Sequence, residues 1–543
     1  MDNAKVKGKM KRFAINIGAA LLFGIIYFYF ELPAINLHDQ DFYGFFFMMS
    51  AVYCVAAFIT SGIYKVVEQG EFFKSIKETC FVPFIICIAM IVLLGVGTVA
   101  SSVVFRAGAY TKLLEPVEGD FVTDVQEISY NRIPMLDAAS AARLGDRKLG
   151  ELSDMVSQFE VSDTYSQINY NDRPVRVAPL EYGDFFKWLN NFSEGLPAYI
   201  VVDMVSQNVE VVRLSEGMRY SDNELFFRNI YRHIRFNYPT FMFDEVYFEV
   251  DEEGTPYWIC PRIVKTIGLF GGTDVNGAVL VNAITGESQY YEEVPTWVDR
   301  VYDPDIIIEQ YDYHGLYQRG FINSMFGQKG VTVTTEGYNY IALNDDVYVY
   351  TGITSVGGDQ SNIGFILVNQ RTKDAKFYSC AGAEEYSAMY SAQGVVQHLN
   401  YTATFPLLLN VSSEPTYFMA LKDNAGLVKL YAMVNVQQYN IVATGASVAD
   451  CEKEYVRLLS QNGIITEAAR PENEITGKVA DIRTAVIDGN SYYYFRLDGQ
   501  SCYYSVSAAD SQTAIIVNVG DRVAIHDADE EGDIRQALSI EIK

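Results

Sequence analysis

Cysteine, histidine and tryptophan are scarce in this chain, and positive charge is outnumbered. Seven cysteines in 543 residues include no CxxC pair, which argues against structural zinc and against a dense disulfide framework. Cys54, Cys80 and Cys87 lie in apolar runs. Cys260, Cys380, Cys451 and Cys502 show no paired spacing and read as isolated buried thiols, with one or two disulfides left open. The five histidines, at 38, 233, 314, 398 and 526, are widely spaced, and no GxSxG, HExxH or Cys-His signature accompanies them. No reaction, cofactor or metal is therefore expected from the motifs. With 41 basic against 68 acidic residues and a net charge of −27, the chain lacks the clustered cations that nucleic-acid binding requires.

What is present is apolar length. Three runs, Phe13 to Phe30, Tyr43 to Tyr64 and Cys80 to Phe105, each suffice to cross a ~30 Å hydrocarbon core at about 1.5 Å per helical residue. They contain few polar groups, Asn16, Ser50, Thr60, Ser61 and Thr98 among them. Ion and proton pathways usually need ionisable groups inside the bilayer, so the trio reads as an anchor in the lipid bilayer. Lys5, Lys7, Lys9, Lys11 and Arg12 precede the first run, and Lys65, Lys74 and Lys77 lie between the second and third. The connection between the first and second has no basic residue, which predicts a cytoplasmic N-terminus and an outer location for everything after about Arg106. A cleaved signal peptide fits less well, because Glu31, Leu32 and Pro33 follow Phe30 where a small-residue cleavage site would stand.

Beyond the anchor, apolar spacing predicts helices over Met135 to Phe159 and Asp222 to Phe236. Ser221 and Glu224 are placed as a capping box for the second. Strands EVYFEVD and PYWICPRIV follow, joined by a turn at Glu253-Gly254. The decisive signal is an internal repeat. Thr266 to Tyr291 aligns with Thr354 to Tyr378, so that Gly271-Gly272 matches Gly357-Gly358, Asn276 matches Asn362, Gly277 matches Gly364, and one LVN triplet matches the other. A third, weaker hairpin spans Tyr417 to Val436, turning at Asp423 to Gly426.

The segment Asn282-Ala283-Ile284-Thr285-Gly286-Glu287, after a helix and two strands, resembles the end of a PepSY domain. Asn369 to Asp374 carries a variant of the pattern without the glycine. The resemblance implies a secreted or membrane-attached, noncatalytic module and carries no catalytic residues over. In the last ~70 residues, PEN at 471 to 473 reads as a linker. The expected strands ITGKVADIR, SYYYFRLDG, SCYYSVSA, AIIVNV, DRVAIHD and ALSIEIK resemble an OB-like barrel. Its tyrosines could stack on bases, but Asp527, Asp529, Glu530, Glu531 and Asp533 would repel phosphate.

Candidate sites follow from these elements. DADEEGD at 527 to 533 begins like a calcium loop but has Leu538 at the twelfth position, so a solvated hairpin tip is expected. The glycine-rich connections lack Gly-Lys-Ser/Thr and read as turns or bulges. Between them, Asp274, Asn276, Asp359 and Asn362 could form a shared polar patch, with His314 and His398 as a candidate base and partner. Glu384-Glu385 opens an expected helix, where acids complement the helix dipole. Asn400 to Lys429 is dense in apolar residues and reads as core or as a partner groove.

The expected fold is a three-helix transmembrane anchor (1–109), a stalk of mixed structure (110–221), two α+β repeats (222–336 and 337–470) and a small all-β barrel (471–543). The function expected is binding or scaffolding of an envelope or membrane protein partner outside the cell membrane. An extracytoplasmic hydrolase and an accessory subunit of a transporter or channel stand as alternatives.

Overall fold

A computed structural model describes residues 2–61, 69–127, 133–134, 136–171, 173–343, 346–357, 361–465, 475–487, 490–508, 511–526, 532, 534–537 and 539–543. Three helices, α1 (Asp2–Glu31), α2 (Gln40–Ser61) and α3 (Gln69–Ser101), are long and apolar enough to cross a membrane, over Met10–Glu31, Gln40–Thr60 and Thr79–Ser101. A short helix, α4 (Val103–Tyr110), starts after a break at Ser102, whose side chain accepts the Val104 N–H. The rest is mostly β structure in several sheets. Two compact units result, one of residues 1–119 and 134–381, the other of residues 120–133 and 382–543.

One plan occurs four times. Each module opens with a helix, continues with two short strands that both pair with a first long strand, and closes with a second long strand and an edge strand. The opening helices are Ala138–Gly150, Ile230–Asn237, Pro304–Tyr317 and Glu385–Val395. The paired long strands are Arg173–Tyr182 with Leu196–Asp203, Pro256–Ile267 with Gly271–Asn282, Asp346–Ser355 with Ser361–Asn369, and Glu414–Lys422 with Val428–Asn435. Sequence alignment exposes the second and third modules and the hairpin of the fourth. The first occupies the segment expected to be a stalk, and the boundary expected at 336/337 falls between the first two strands of the third.

A shared turn explains why the plan repeats. At the end of the second long strand, an Asx side chain folds back onto the chain ahead of it. Asp203 Oδ1 accepts from Val205 and Ser206, Asn282 Oδ1 from Ile284 and Thr285, and Asn369 Oδ1 from Arg371 and Thr372. Asn435 Oδ1 accepts from Gln438 in the longer fourth turn. The residue after each Asx donates its N–H to the start of the first long strand, at Pro174, Pro256, Val347 and Pro415. In the first three turns the fifth residue is left-handed: Gln207 at φ 61°, Gly286 at φ 77° and Lys373 at φ 67°. Only at Gly286 is a Cβ sterically barred, since it would stand 2.2 Å from the Tyr220 ring. That is why the third turn tolerates a lysine and the first a glutamine.

Three expected elements are corrected. The helix over Met135 to Phe159 stops at Gly150, and Met155 and Phe159 reach the core through a turn and the strand Phe159–Val161. No helix starts at Ser221. Its Oγ accepts the Glu224 N–H, but the Glu224 carboxylate takes Tyr182 Oη and Trp188 Nε1, both at 2.8 Å, and the helix is capped instead by Asn229. The strand expected at AIIVNV is a 3-10 turn, Gln512–Ile515, because burial of Ala514 and Val517 follows a period of three rather than two.

The C-terminal region forms a six-stranded path with Ile534–Gln536 at one end and Ser539–Ile542 at the other. Its long first strand, Ile475–Ile487, pairs with Asn490–Leu497 along one half and with Arg522–His526 along the other. No ladder joins the two ends among the described residues. The segment Asn400 to Lys429 supplies strands of the fourth module, and Leu408, Leu409, Tyr417 and Phe418 are core.

Candidate functional site

The expected polar patch separates into joints. Asp274 lies where the strand Gly271–Asn282 bulges, and its carboxylate binds Lys373 Nζ at 2.7 and 2.9 Å and Gln310 Nε2 at 3.2 Å. Lys373 is the left-handed residue of the third module's turn, so this half-buried pair ties the second module to the third. Asn276 accepts the Tyr290 hydroxyl on its backbone oxygen at 2.9 Å. Asn362 is buried at the start of its strand, and Asp359 lies outside the described residues.

His314 is a joint as well. Its Nδ1 lies 2.9 Å from the Thr111 carbonyl, which can only accept, so Nδ1 carries the proton and Nε2 receives the Gln318 amide at 2.8 Å. Nδ1 thus ties the helix Pro304–Tyr317 to the chain leaving α4, and Nε2 is engaged by Gln318 at the end of the same helix. His398 is exposed in the 3-10 turn Gln397–Leu399 and belongs to the other compact unit. Glu385 is buried at the start of its helix. The acidic run at 527–531 lies outside the described residues. Cys260, Cys380, Cys451 and Cys502 are buried free thiols, and burial pushes the Cys260 and Cys451 thiols up.

The glycine-rich connection of the second module is a docking loop. The Ser101 hydroxyl at the end of α3 accepts the N–H groups of Leu269 and Phe270 at 2.8 and 3.0 Å, and Tyr110 Oη donates to the Ser101 carbonyl. A Cβ on Gly271 would stand 2.1 Å from Tyr110 Oη, and one on Gly97 would stand 2.7 Å from the Phe270 ring. The first connection joins this face: Ile35 N–H donates to Pro239, His38 Nδ1 meets the Leu269 carbonyl, and Ala34 is in the second module's core. Arg232 and Arg235 donate to the carbonyls of Tyr29 and Leu32 at the end of α1. The ends of α1 and α3 and the connection between α1 and α2 thus all pack on one module.

Sequence reading missed a buried polar cluster where the first three modules meet. Glu249 is fully buried and accepts the N–H groups of Asp299 and Arg300 at 3.0 and 2.9 Å. Burial pushes its carboxyl up to about 8, against the lowering effect of those two donors. Asp299 accepts the Asn169 N–H from the first module. The Arg300 guanidinium lies 3.9 Å above the Tyr247 ring and pairs with Asp303 at 3.0 Å. Register makes Glu249 the equivalent of Ile168, Ile341 and Leu409, each facing the residue after the strand-opening Pro or Val. A buried acid at a position otherwise filled by Ile or Leu was the available signal, and only the strand register exposes it.

No protein-family model matches this chain, and no curated protein matches it. Among solved structures, a crystal structure of a levansucrase mutant of B. megaterium aligns over 79% of this chain and 96% of that chain, at 8% identity and a TM-score of 0.17. A likeness of that size carries no argument about fold or activity.

Proposed function

We propose that this is a membrane-anchored binding or scaffolding protein whose modules lie outside the membrane and take a protein or cell-envelope partner along their sheet edges. The observation that carries the reading is an internal precedent. The edge strand Ala375–Ala383 of the third module accepts Val117–Glu118 in parallel, Val117 opposite Lys376 and Glu118 opposite Phe377. The corresponding edge of the first module, Val209–Met218, is ten residues long and pairs with no outer strand among the described residues. Strand addition supplies main-chain hydrogen bonds for affinity and alternate side-chain positions for selectivity.

The four-fold helix-and-strand plan supports reading the modules as PepSY-like units. The first strand shared between two ladders supports an OB-like barrel at the end. Orientation rests on charge: Lys5, Lys7, Lys9, Lys11 and Arg12 of α1 and Lys74 and Lys77 of α3 lie toward the helix ends opposite to those that pack on the second module.

A photo-reactive residue replacing Val211 tests the edge in intact membranes. A discrete adduct is expected, lost when Val209 is additionally replaced by Pro to spoil strand addition while the probe stays at position 211. Turnover of a substrate by the purified outer region, dependent on His314 or His398, would replace the binding reading with the hydrolase. A stoichiometric polytopic protein co-purifying in detergent would replace it with the accessory subunit. Protease cleavage of a tag placed after Lys543 in intact cells is the expected topology result, and protection would reverse the orientation.

A further inference from the structure

We infer that the second module does not merely hang from the three helices: the face around their ends lies in the membrane surface, on two apolar feet that enter the lipid on either side of the spans. The inference goes beyond the binding reading and rests only on α1 to α3 crossing a bilayer.

The first foot starts at the end of α1. The Tyr29 ring is 5.6 Å from Phe227, in edge contact. Phe226, the next residue, is 6.0 Å from Trp188, and the Trp188 ring stacks between Phe185 and Phe192 at 5.6 and 5.1 Å. Trp188 itself is buried, so the short helix Phe185–Asn191 presents its apolar residues outward. Phe186 is 73% exposed, and Phe185, Phe226 and Phe227 are each more than half exposed.

The second foot starts at the end of α3, where α4 carries Phe105 at 70% exposure. Tyr110 at its end meets Tyr313 at 4.7 Å, Tyr313 stacks on Tyr317, and Tyr317 stacks on Phe321. The helical turn Asn323–Gly327 follows, with Ile322 at 75% and Phe326 at 85% exposure.

Two tracks of ring contacts, each with one step made along the chain (Phe227 to Phe226, Phe321 to Phe326), thus lead from the ends of two spans to the strongly exposed Phe186 and Phe326. Water is a poor occupant for such a surface, since contiguous exposed apolar patches of this kind mark interaction sites. Continuity with the spans selects lipid over a protein partner. Arg106, Lys187, Arg228, Arg232, Arg319 and Lys329 belong to the segments that carry the two tracks, Lys187 beside Asp184 at 3.5 Å. Aromatic rings with neighbouring cations suit the headgroup and acyl boundary, where rings bury ~5–10 Å deep and cations meet phosphates.

The test uses the full chain in lipid nanodiscs made with and without dibrominated acyl chains. Phe186→Trp and Phe326→Trp add a reporter to each foot, read as the extra emission over the parent's three tryptophans. Glu253→Trp is the control, because Glu253 is exposed beyond the far end of the strand Pro256–Ile267, roughly 35–40 Å from the docking loop at about 3.3 Å per residue. Blue-shifted emission from both feet, quenched at least twofold by brominated lipid with the control unaffected, is expected. Water-like emission insensitive to bromine would overturn the inference. Blue-shifted but unquenched emission would also overturn it, and would assign the feet to a protein surface such as a second copy of this chain.

Discussion

The second and third modules share a topology, a turn and a line of aligned glycines, yet the same loop does different work in each. In the second, Gly271 is pressed against Tyr110 and the carbonyl of Ser101; in the third, a Cβ on the aligned Gly357 would meet, among the described residues, only the Ser355 hydroxyl oxygen at 3.6 Å. Gly277 and Gly364, by contrast, are alike: a Cβ on either would approach a carbonyl of the edge strand, Tyr291 at 2.0 Å or Tyr378 at 2.2 Å. Aligned residues that serve the fold remain equivalent. Aligned residues in the connection diverge, because Gly271 meets the end of α3 whereas Gly357 meets no membrane helix among the described residues.

Replacing those two glycines is the strongest way to break the comparison. Gly271→Val would drive a branched side chain into Tyr110 and Ser101, and overpacking of this kind costs about 1–3 kcal/mol. The expected result is a lower melting temperature in detergent and loss of the contact between α3 and the second module. Gly357→Val should change stability by less than about 0.5 kcal/mol, the usual range for surface positions without special contacts. Equal losses from the two variants would mean that the docking at Ser101 does not distinguish the modules.

A smaller effect separates the modules by pH. Glu249 occupies a core position held by isoleucine in the first and third modules and leucine in the fourth. Its pKa is raised from 4.5 to about 8 by burial, so the folded state keeps a proton that the unfolded chain has released. Its stabilising contribution is therefore complete below pH 4.5 and falls as pH rises toward about 8. Over pH 5 to 8 the loss should be about 2 kcal/mol, roughly half the ~4 kcal/mol that full linkage gives over three units, because the joint relaxes when the carboxylate ionises. Glu249→Gln keeps an acceptor without the charge and should flatten this slope, read from native tryptophan emission across the pH series. Asp312, Glu245 and Asp222 are also pushed up by burial and slope the same way, so the difference between parent and variant is the quantity that isolates Glu249. An unchanged slope would remove the acid from the joint.

The legible part of the sequence was the part with a strong period or a local rule. Long apolar runs marked all three spanning helices, and the Gly-Gly and LVN alignment marked two modules. The Asp423 to Gly426 turn marked the hairpin of the fourth, with Gly426 at φ 74° and Asp423 capping Ala425 and Leu427. What stayed hidden was decided by distant partners. Ser221 and Glu224 have capping-box spacing, yet Tyr182 and Trp188 compete for the carboxylate and win, so the helix starts eight residues later. His314 looked like chemistry because histidine is rare here, and its ring is spent on Thr111 and Gln318. The first module escaped detection because DMVSQN at 203 to 208 shares no glycine, alanine or threonine with NAITGE at 282 to 287, although the two hexapeptides fold alike.

That hexapeptide permits the finest test, since its geometry depends on one acceptor atom and not on charge. Asp203 Oδ1 receives two N–H groups at 3.0 and 2.8 Å, and its other oxygen stands 3.7 Å from a largely exposed Arg173. An exposed pair of that length contributes little, so Asp203→Asn should shift stability by less than about 0.5 kcal/mol. Asp203→Ala removes the acceptor and should cost about 1 kcal/mol, the typical contribution of such a bond. Chemical denaturation of the two variants reads the difference. A loss from Asp203→Asn as large as that from Asp203→Ala would show that the carboxylate itself is needed, and the first module's turn would then be a charged site rather than a copy of the turns at Asn282 and Asn369.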